Sequence, residues 1–209
     1  MKTEIYCVPS ADFAEQIELK AEYIELAEKI RKTVKKSVKK KRYEHSLRVA
    51  ETSYHMCEIY SCDLTKGFIA GLSHDMCKDL DDDEMIKTAL RDGNKISDLE
   101  LKKPSLLHGR AAAVKLREDF GIKDEEVLQA VAFHTLGSEK MCDLAKIVFS
   151  ADKIEPGRPQ SSKEYRTALF KKTLDGLCTA VLEEEFDYLK SKEKEASPQS
   201  LAFYNSLKK

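Results

Sequence analysis

The chain has 209 residues, with 36 basic and 37 acidic side chains and a formal net charge of -1 at pH 7. This length supports one substantial hydrophobic core, and the balanced charge excludes a general electrostatic attraction to nucleic acid or to an anionic membrane. No apolar run approaches the roughly 18 residues of a membrane-spanning helix, and the six cysteines include no Cys-x-x-Cys pair and follow no secretory signal, so we expect reduced thiols in a cytoplasmic protein.

The first predicted element is an amphipathic helix. Residues 1–9 are expected to be a loose tail, and Ser10 can cap the helix that follows. Apolar residues then recur at steps of three and four, as on one helix face; they are Phe13, Ile17, Ala21, Ile24, Ala27, Ile30, Val34 and Val38. The lysine-rich run at 35–42 lies on the polar side of this pattern, which favours a solvated helix face over a nucleic-acid groove.

The next elements are also predicted to be helices, because the sequence has no persuasive run of alternating strand residues. A second helix is expected from about Tyr43 to Tyr60, and a third from a capping Asp63 to His74 and Asp75. The acidic stretch at 79–84 indicates a loop that leads into a short helix ended by Gly93.

The second half of the chain continues the helical pattern. Pro104 suits the first turn of a helix that carries His108 and ends at Gly121, and Asp124 can cap the helix of His134. A further helix carries Asp152. Beyond the turn-rich 155–159 come one more helical pattern, at 169–182, and a short helix after residue 198.

The adjacent pair His74 and Asp75 is the most informative feature of the sequence. A neutral imidazole nitrogen and a charged carboxylate oxygen are donor types that hold or bridge divalent transition metals. An isolated pair of this kind is more often a helix cap or a surface feature. Its meaning therefore depends on whether other ligands lie nearby.

Three further histidines and one aspartate face the expected core. Each of them shares a helix face with apolar residues three, four, seven, eight or eleven positions away. These residues are Val49 and Met56 for His45, Ala112 and Leu116 for His108, Val127 and Val131 for His134, and Leu144 and Val148 for Asp152. Any single histidine is better explained as an ordinary buried side chain, but a buried carboxylate needs a cation or several donors. Together the six residues predict a metal site. His55 is left out, because no acidic or histidine-bearing motif surrounds it.

These motifs, in this order, resemble the HD superfamily of helical metal-dependent phosphohydrolases. Over about residues 38–190 their flanks are similar to those of the bacterial YqeK-type symmetrical diadenosine tetraphosphate hydrolases. The matching segments are Arg42-Tyr43-x-His45-Ser46-Leu47-Arg48-Val49-Ala50, His74-Asp75-x-x-Lys78-Asp79, Leu107-His108-Gly109, His134-Thr135-x-Gly137 and Ala151-Asp152-Lys153-Ile154-Glu155-Pro156-x-Arg158. The resemblance implies cleavage of a dinucleoside polyphosphate at its centre, with two ADP as products.

The resemblance also implies the fold and its parts. We expect an all-α, single-domain HD-type helical bundle. A tail and leading helix would occupy 1–37, the phosphohydrolase domain 38–190, and a helical extension of the same domain 191–209.

By the same resemblance, His45, His74, Asp75 and Asp152 would hold one metal ion. His108 and His134 would hold a second, with Asp75 as the bridge. Iron is the expected metal, with two ions per chain, although manganese, cobalt, nickel or zinc would also accept these donors. A hydroxide activated by the two ions would attack the phosphoryl group.

Several polar side chains near the ligands can bind the phosphate chain. Lys78 lies one turn beyond His74, Lys153 and Arg158 follow Asp152, and Thr135 adjoins His134, while Arg48 lies nearly one turn from His45. We therefore expect Asp75, Lys78 and Arg158 to be catalytic. Substrate binding is assigned to Arg48, Lys78, Thr135, Lys153 and Arg158.

Two alternative functions remain at this point. One is an HD-type phosphohydrolase that acts on another nucleotide. The other is a regulatory module that binds metal and nucleotide without physiological turnover. The expected partner is a dinucleoside polyphosphate or other nucleotide, with no nucleic acid and no membrane, and a homodimer is possible.

Overall fold

The computed structural model describes residues 3–7 and 16–208. Within them eleven α-helices form the fold: α1 Ala21–Ser37, α2 Lys40–Ile59, α3 Leu64–Ser73, α4 Asp82–Ala89, α5 Asp98–Lys102, α6 His108–Phe120, α7 Glu125–Phe133, α8 Asp143–Ile154, α9 Lys163–Leu169, α10 Leu174–Ser191 and α11 Pro198–Ser206. The all-α helical bundle expected from the sequence is confirmed. Among the described residues, no helix is long and apolar enough to cross a membrane.

A two-stranded antiparallel hairpin precedes α1, with β1 at Thr3–Cys7 and β2 at Gln16–Lys20. The predictions of a loose tail through residue 9 and of a helix already running through Ile17 are therefore wrong. The predicted cap at Ser10 and the first apolar position, Phe13, lie outside the described residues.

The burial pattern of β2 explains the error. Ile17 and Leu19 are buried and Glu18 between them is exposed, which is the alternation of a strand. The step of four from Ile17 to Ala21 fits a helix face equally well, so the sequence pattern was ambiguous here. The main-chain N–H of Glu18 donates to the Tyr54 hydroxyl at 3.2 Å, which ties the strand to α2.

Helices α2 and α3 cross at close range in the centre of the protein. Eight of the ten residues of α3 are buried, so this helix is surrounded by other elements. A Cβ at Gly71 would lie 2.8 Å from both Ala50 Cα and Val49 O, so only glycine permits this approach of the two backbones. Helix α8 packs against α2 and α3, and α7 packs against α3 and α8. The end of α3 therefore lies between three other helices.

Capping residues set several helix ends as predicted. Asp63 accepts a hydrogen bond from a main-chain N–H of α3, and Asp124 accepts two from α7. Gly93 and Gly121 end their helices with φ angles of 82° and 68°, in the left-handed region.

Two helix boundaries and one whole helix differ from the sequence prediction. Pro104 opens a short 3-10 helix, and α6 begins only at His108. Thr173 caps α10, so the single helical pattern expected at 169–182 is two helices. The short α5, with a capping box formed by Ser97 and Glu100, was missed because it has only five residues.

Gly71→Ala tests the close crossing of α2 and α3. We expect this substitution to lower the free energy of unfolding by at least about 2 kcal/mol, because its methyl group would meet backbone atoms that cannot move aside. Urea denaturation followed by circular dichroism measures the change. The control Gly176→Ala, in α10, would meet only side-chain atoms, the Thr173 hydroxyl at 3.1 Å and Lys172 Cβ at 3.6 Å, and should change stability by less than about 1 kcal/mol. Equal effects from the two substitutions would contradict the proposed crossing.

Candidate metal centre

The six side chains nominated as ligands lie together in one cluster. His45 is in the second turn of α2, His74 and Asp75 follow α3 directly, His108 opens α6, His134 follows α7, and Asp152 lies near the end of α8. All are buried except Asp152, which is partly buried. The imidazole ring of His74 is central, with ring centroids 5.2 Å from His45 and 4.8 Å from His134.

Three of the histidines share one local hydrogen bond. In His74, His108 and His134 the ring Nδ1 lies 2.7 Å from the main-chain oxygen three residues earlier; the acceptors are Gly71, Ser105 and Val131. A carbonyl oxygen only accepts hydrogen bonds, so each Nδ1 carries the proton and each Nε2 has a free lone pair. These three lone pairs point into the cluster.

The arrangement of the Nε2 atoms fits a metal. The Nε2 atoms of His108 and His134 are 2.9 Å apart, and two lone pairs at this distance repel. The Lys78 ammonium, 3.0 Å from His108 Nε2, offsets part of this repulsion, and a metal ion held by both nitrogens would remove it. The Nε2 of His74 is buried and accepts no hydrogen bond from the described residues, which is unusual for a buried polar atom. Imidazole nitrogens and carboxylate oxygens together suit a divalent transition metal.

Two carboxylates complete the donor set. Asp75 Oδ1 lies 3.0 Å from His108 Nε2 and 3.7 Å from His134 Nε2, and Asp75 Oδ2 lies 3.7 Å from His74 Nε2. Asp152 Oδ1 lies 3.7 Å from His74 Nε2 and 3.0 Å from His45 Nε2. Two groups with metal-ligand spacing result, His45-His74-Asp152 and His74-Asp75-His134. His74 belongs to both groups, whereas the sequence suggested only Asp75 as a bridge.

The protonation states of the cluster suit metal binding. Burial lowers the pKa of His74 to about 3 and that of His108 to about 4, so both imidazoles are neutral at neutral pH. Burial also acts to lower the pKa of His45, but hydrogen bonds to two carboxylates outweigh it and raise that pKa.

Glu155 supports His45 from outside the cluster and was missed as a site residue. Its side chain is 2% exposed and lies 3.0 Å from His45 Nδ1. Arg48 donates to the same carboxylate from Nε at 2.6 Å and from Nη2 at 3.3 Å. The guanidinium of Arg48 is therefore engaged by Glu155, and its contact with substrate stays a prediction. The i, i+3 spacing of Asp152 and Glu155 on the α8 face was the signal available in the sequence.

Arg42 is a second residue that sequence reasoning left out. Its Nη1 donates to Asp75 Oδ2 at 2.7 Å, and its Nε lies 3.5 Å from Asp79 Oδ1. This pairing offsets part of the charge of the buried Asp75 carboxylate. One helical turn separates Arg42 from His45, so both project from the same region of α2.

The remaining nominated residues surround the ligands. Lys78 Nζ lies 3.0 Å from His108 Nε2, and Thr135 Oγ1 lies 3.2 Å from the same nitrogen. Arg158 Nη2 donates to Asp152 Oδ1 at 2.7 Å, and Lys153 Nζ lies 3.7 Å from Asp152 Oδ2. All four side chains therefore border the cluster. His55, the histidine set aside, packs its ring against Tyr54 at 5.6 Å and belongs to neither ligand group.

Known proteins share this chain's sequence pattern. A family model described as HD domain matches residues 42–157. A symmetrical bis(5'-nucleosyl)-tetraphosphatase from Halalkalibacterium halodurans is 36% identical over 174 residues, which are 83% of this chain and 92% of the relative. A protein of the same name from Staphylococcus aureus is 42% identical over 131 residues, which are 63% of this chain and 67% of the relative.

A solved structure shares the fold. The crystal structure of a Clostridium acetobutylicum protein, described as a predicted HD superfamily hydrolase involved in NAD metabolism, matches with a TM-score of 0.80 at 31% identity. The match covers 86% of this chain and 95% of that one. The overall arrangement of helices is therefore shared along most of both chains.

Glu155→Ala should weaken metal binding by about 10- to 100-fold, the usual effect of removing a carboxylate that orients a ligating imidazole. Competition with a coloured chelator measures the affinity, and circular dichroism checks that the variant is folded. Glu44→Ala is the matched control, because Glu44 adjoins His45 in sequence but its side chain is 46% exposed. A folded Glu155→Ala protein with unchanged metal affinity would show that Glu155 does not position His45.

Metal content tests the choice of ligands. Protein purified without chelators should carry about one to two transition-metal ions per chain. Asp75→Ala should lower that content, because the Asp75 carboxylate contacts three of the imidazoles, and His55→Ala should not change it. Elemental analysis of all three proteins decides the matter. Equal metal content in the two variants would mean that Asp75 and His55 had been assigned wrongly as ligand and non-ligand.

Proposed function

The chain belongs to the HD domain family, and on that premise we propose that it hydrolyses dinucleoside tetraphosphates symmetrically, converting diadenosine tetraphosphate and water into two ADP. The observation that carries this proposal is the convergence of three imidazole Nε2 atoms and two carboxylates on one buried centre. Symmetrical bis(5'-nucleosyl)-tetraphosphatase is the name of both relatives described above. The chain is accordingly an HD-type phosphohydrolase.

The reaction depends on a divalent metal. We propose His45, His74, Asp75 and Asp152 as ligands of one ion, and His108, His134 and Asp75 as ligands of a second. The two ligand groups of the structure support a pair of ions. Iron is the proposed metal; manganese, cobalt, nickel and zinc suit the same donors. When bound, the metal supplies activation of water and polarisation of phosphoryl oxygens.

The side chains around the ligands are proposed to position the phosphate chain. Lys78 would bind phosphates on one side of the attacked phosphorus, and Lys153 with Arg158 would bind those on the other. Such symmetrical anchoring holds the central anhydride bond in place while one ADP leaves opposite the attacking water. Thr135 would donate a hydroxyl hydrogen bond, and Asp75 is the one residue shared by the two ligand sets proposed above.

Three finer assignments are also proposals. Residues 38–190 would form the catalytic domain, with 1–37 before it and 191–209 as an extension of it. The cysteines at 57, 62, 77, 142 and 178 are free thiols, which supports a reducing, cytoplasmic location. A homodimer is the proposed assembly, and size-exclusion chromatography with light scattering tests it.

Product analysis tests the proposed function. Diadenosine tetraphosphate should yield ADP alone, and hydrolysis in heavy-oxygen water should label one ADP of each pair at its terminal phosphate. Chromatography and mass spectrometry measure both results. Asp75→Ala should abolish turnover, while His55→Ala should leave it unchanged. AMP plus ATP as products, or hydrolysis of a simple nucleotide but of no dinucleoside polyphosphate, would overturn the assignment.

A further inference from the structure

A cavity of about 620 Å³ adjoins the metal-ligand cluster on the side of α8. It lies between the end of α8, the loop that follows, α9 and α10, and its volume is in the usual range for small-molecule sites. Lys153 and Arg158 form part of its wall. The same two cations lie 3.7 Å and 2.7 Å from the oxygens of Asp152. Lys153 and Arg158, the proposed phosphate-binding residues, therefore border both the ligand cluster and the cavity.

We propose that this cavity binds one nucleoside of the substrate, with the base stacked on Tyr188, which is part of its wall. The inference rests on the proposed function, because it places the nucleoside next to phosphates held by Lys153 and Arg158. Apart from these two cations, two glutamates of α10 and one glutamine, the wall is apolar and aromatic, with Ile154 and Tyr165 among its residues. Aromatic side chains bind nucleobases by stacking, whichever base is present.

The charges of the cavity fix the direction of a bound nucleotide. The end next to Asp152 is basic, whereas α10 contributes the carboxylates of Glu184 and Glu185. Glu184 accepts a hydrogen bond from the Tyr165 hydroxyl at 2.6 Å, and Glu185 Oε2 lies 4.0 Å from Lys153 Nζ. Carboxylates repel phosphates and accept hydrogen bonds from amino groups such as that of adenine. Because Glu185 lies beside Lys153, Glu184 is the carboxylate that marks the other end. The phosphates therefore face the metal centre and the base lies toward Glu184 and Tyr165.

A second cavity, of about 580 Å³, lies between α6 and α7 and is less suited to a nucleotide. It reaches Thr135, but Arg110, one of its two arginines, already donates to Asp92 at 2.7 Å and to Glu100 at 3.1 Å. The charge of this guanidinium is compensated by two carboxylates. This cavity borders the ligand cluster through Thr135, whereas the cavity beside α8 borders it through two cations, Lys153 and Arg158, so the latter is the better site for a nucleotide.

A fluorescence experiment tests the cavity directly. The chain has no tryptophan, and Tyr188 is 62% exposed, so Tyr188→Trp introduces a single indole without disturbing the core. In the metal-loaded protein we expect ADP to quench this fluorescence and pyrophosphate to leave it unchanged, because only ADP carries a base. Leu101→Trp is the control, at a position in α5 that is 54% exposed, and neither ligand should affect it.

Tyr188→Ala provides the affinity measurement. Loss of stacking should weaken ADP binding by at least about five-fold, while pyrophosphate binding, measured by calorimetry, stays the same. The kcat/KM for diadenosine tetraphosphate should fall by a similar factor.

The outcomes separate this inference from the proposed function. Unchanged ADP affinity in Tyr188→Ala, or equal quenching in both tryptophan variants, overturns the nucleoside cavity even if diadenosine tetraphosphate is still cut to ADP. A shift in oligomeric state with unchanged ADP affinity assigns Tyr188 to a subunit contact and overturns it too. A chain that cuts no dinucleoside polyphosphate, but shows quenching by ADP alone, refutes the proposed function and supports the cavity as a nucleotide site.

Discussion

The metal centre depends on one local hydrogen bond that occurs three times, from a histidine Nδ1–H to the main-chain oxygen three residues earlier. His74 and His134 follow the ends of α3 and α7, where helix carbonyls lack intrahelical partners, and His108 follows a 3-10 helix. The bond satisfies a carbonyl and selects the tautomer with a free Nε2. The helices then need only bring three such ends together. The close crossing of α2 and α3 at Gly71 brings the end of α3, and with it His74, into the cluster. Gly71 also provides the carbonyl oxygen that accepts the hydrogen bond from His74 Nδ1.

The electrostatics of the centre follow from burial. A buried carboxylate is unfavourable without compensation, and each aspartate of the cluster is paired with an arginine: Asp75 with Arg42 and Asp152 with Arg158. His45 differs from the other three histidines, because a carboxylate and not a main-chain carbonyl lies at its Nδ1. Its position within α2, in the second turn and not at a helix end, explains this difference, since the carbonyls there already accept helix hydrogen bonds.

The sequence predicted what depends on local pattern. Helical register was sufficient to place His45 and Asp152 toward the core, and Asp63 and Asp124 were recognisable caps because capping depends on a few adjacent residues. The hairpin could not be predicted, because Ile17 fits a helical and a strand pattern equally well. The pairing of Arg48 with Glu155 joins residues 107 positions apart, and no local pattern reports such a contact. Comparison with relatives supports the assignment of the chain to its family and to a reaction, whereas the role proposed for each side chain is argued from its contacts in the structure.

The dispersal of the ligands along the chain has a consequence for folding. His45 and Asp152 lie 3.0 Å apart in the structure although α2 and α8 are distant in sequence. No short segment contains the complete donor set, so a metal cannot nucleate the fold as it does in a zinc finger. The ligands meet only after the contacts of highest sequence separation have formed, which are the slow ones. Metal thus binds the native state selectively, and its concentration in the cell becomes one of the variables that determine what fraction of the protein is folded.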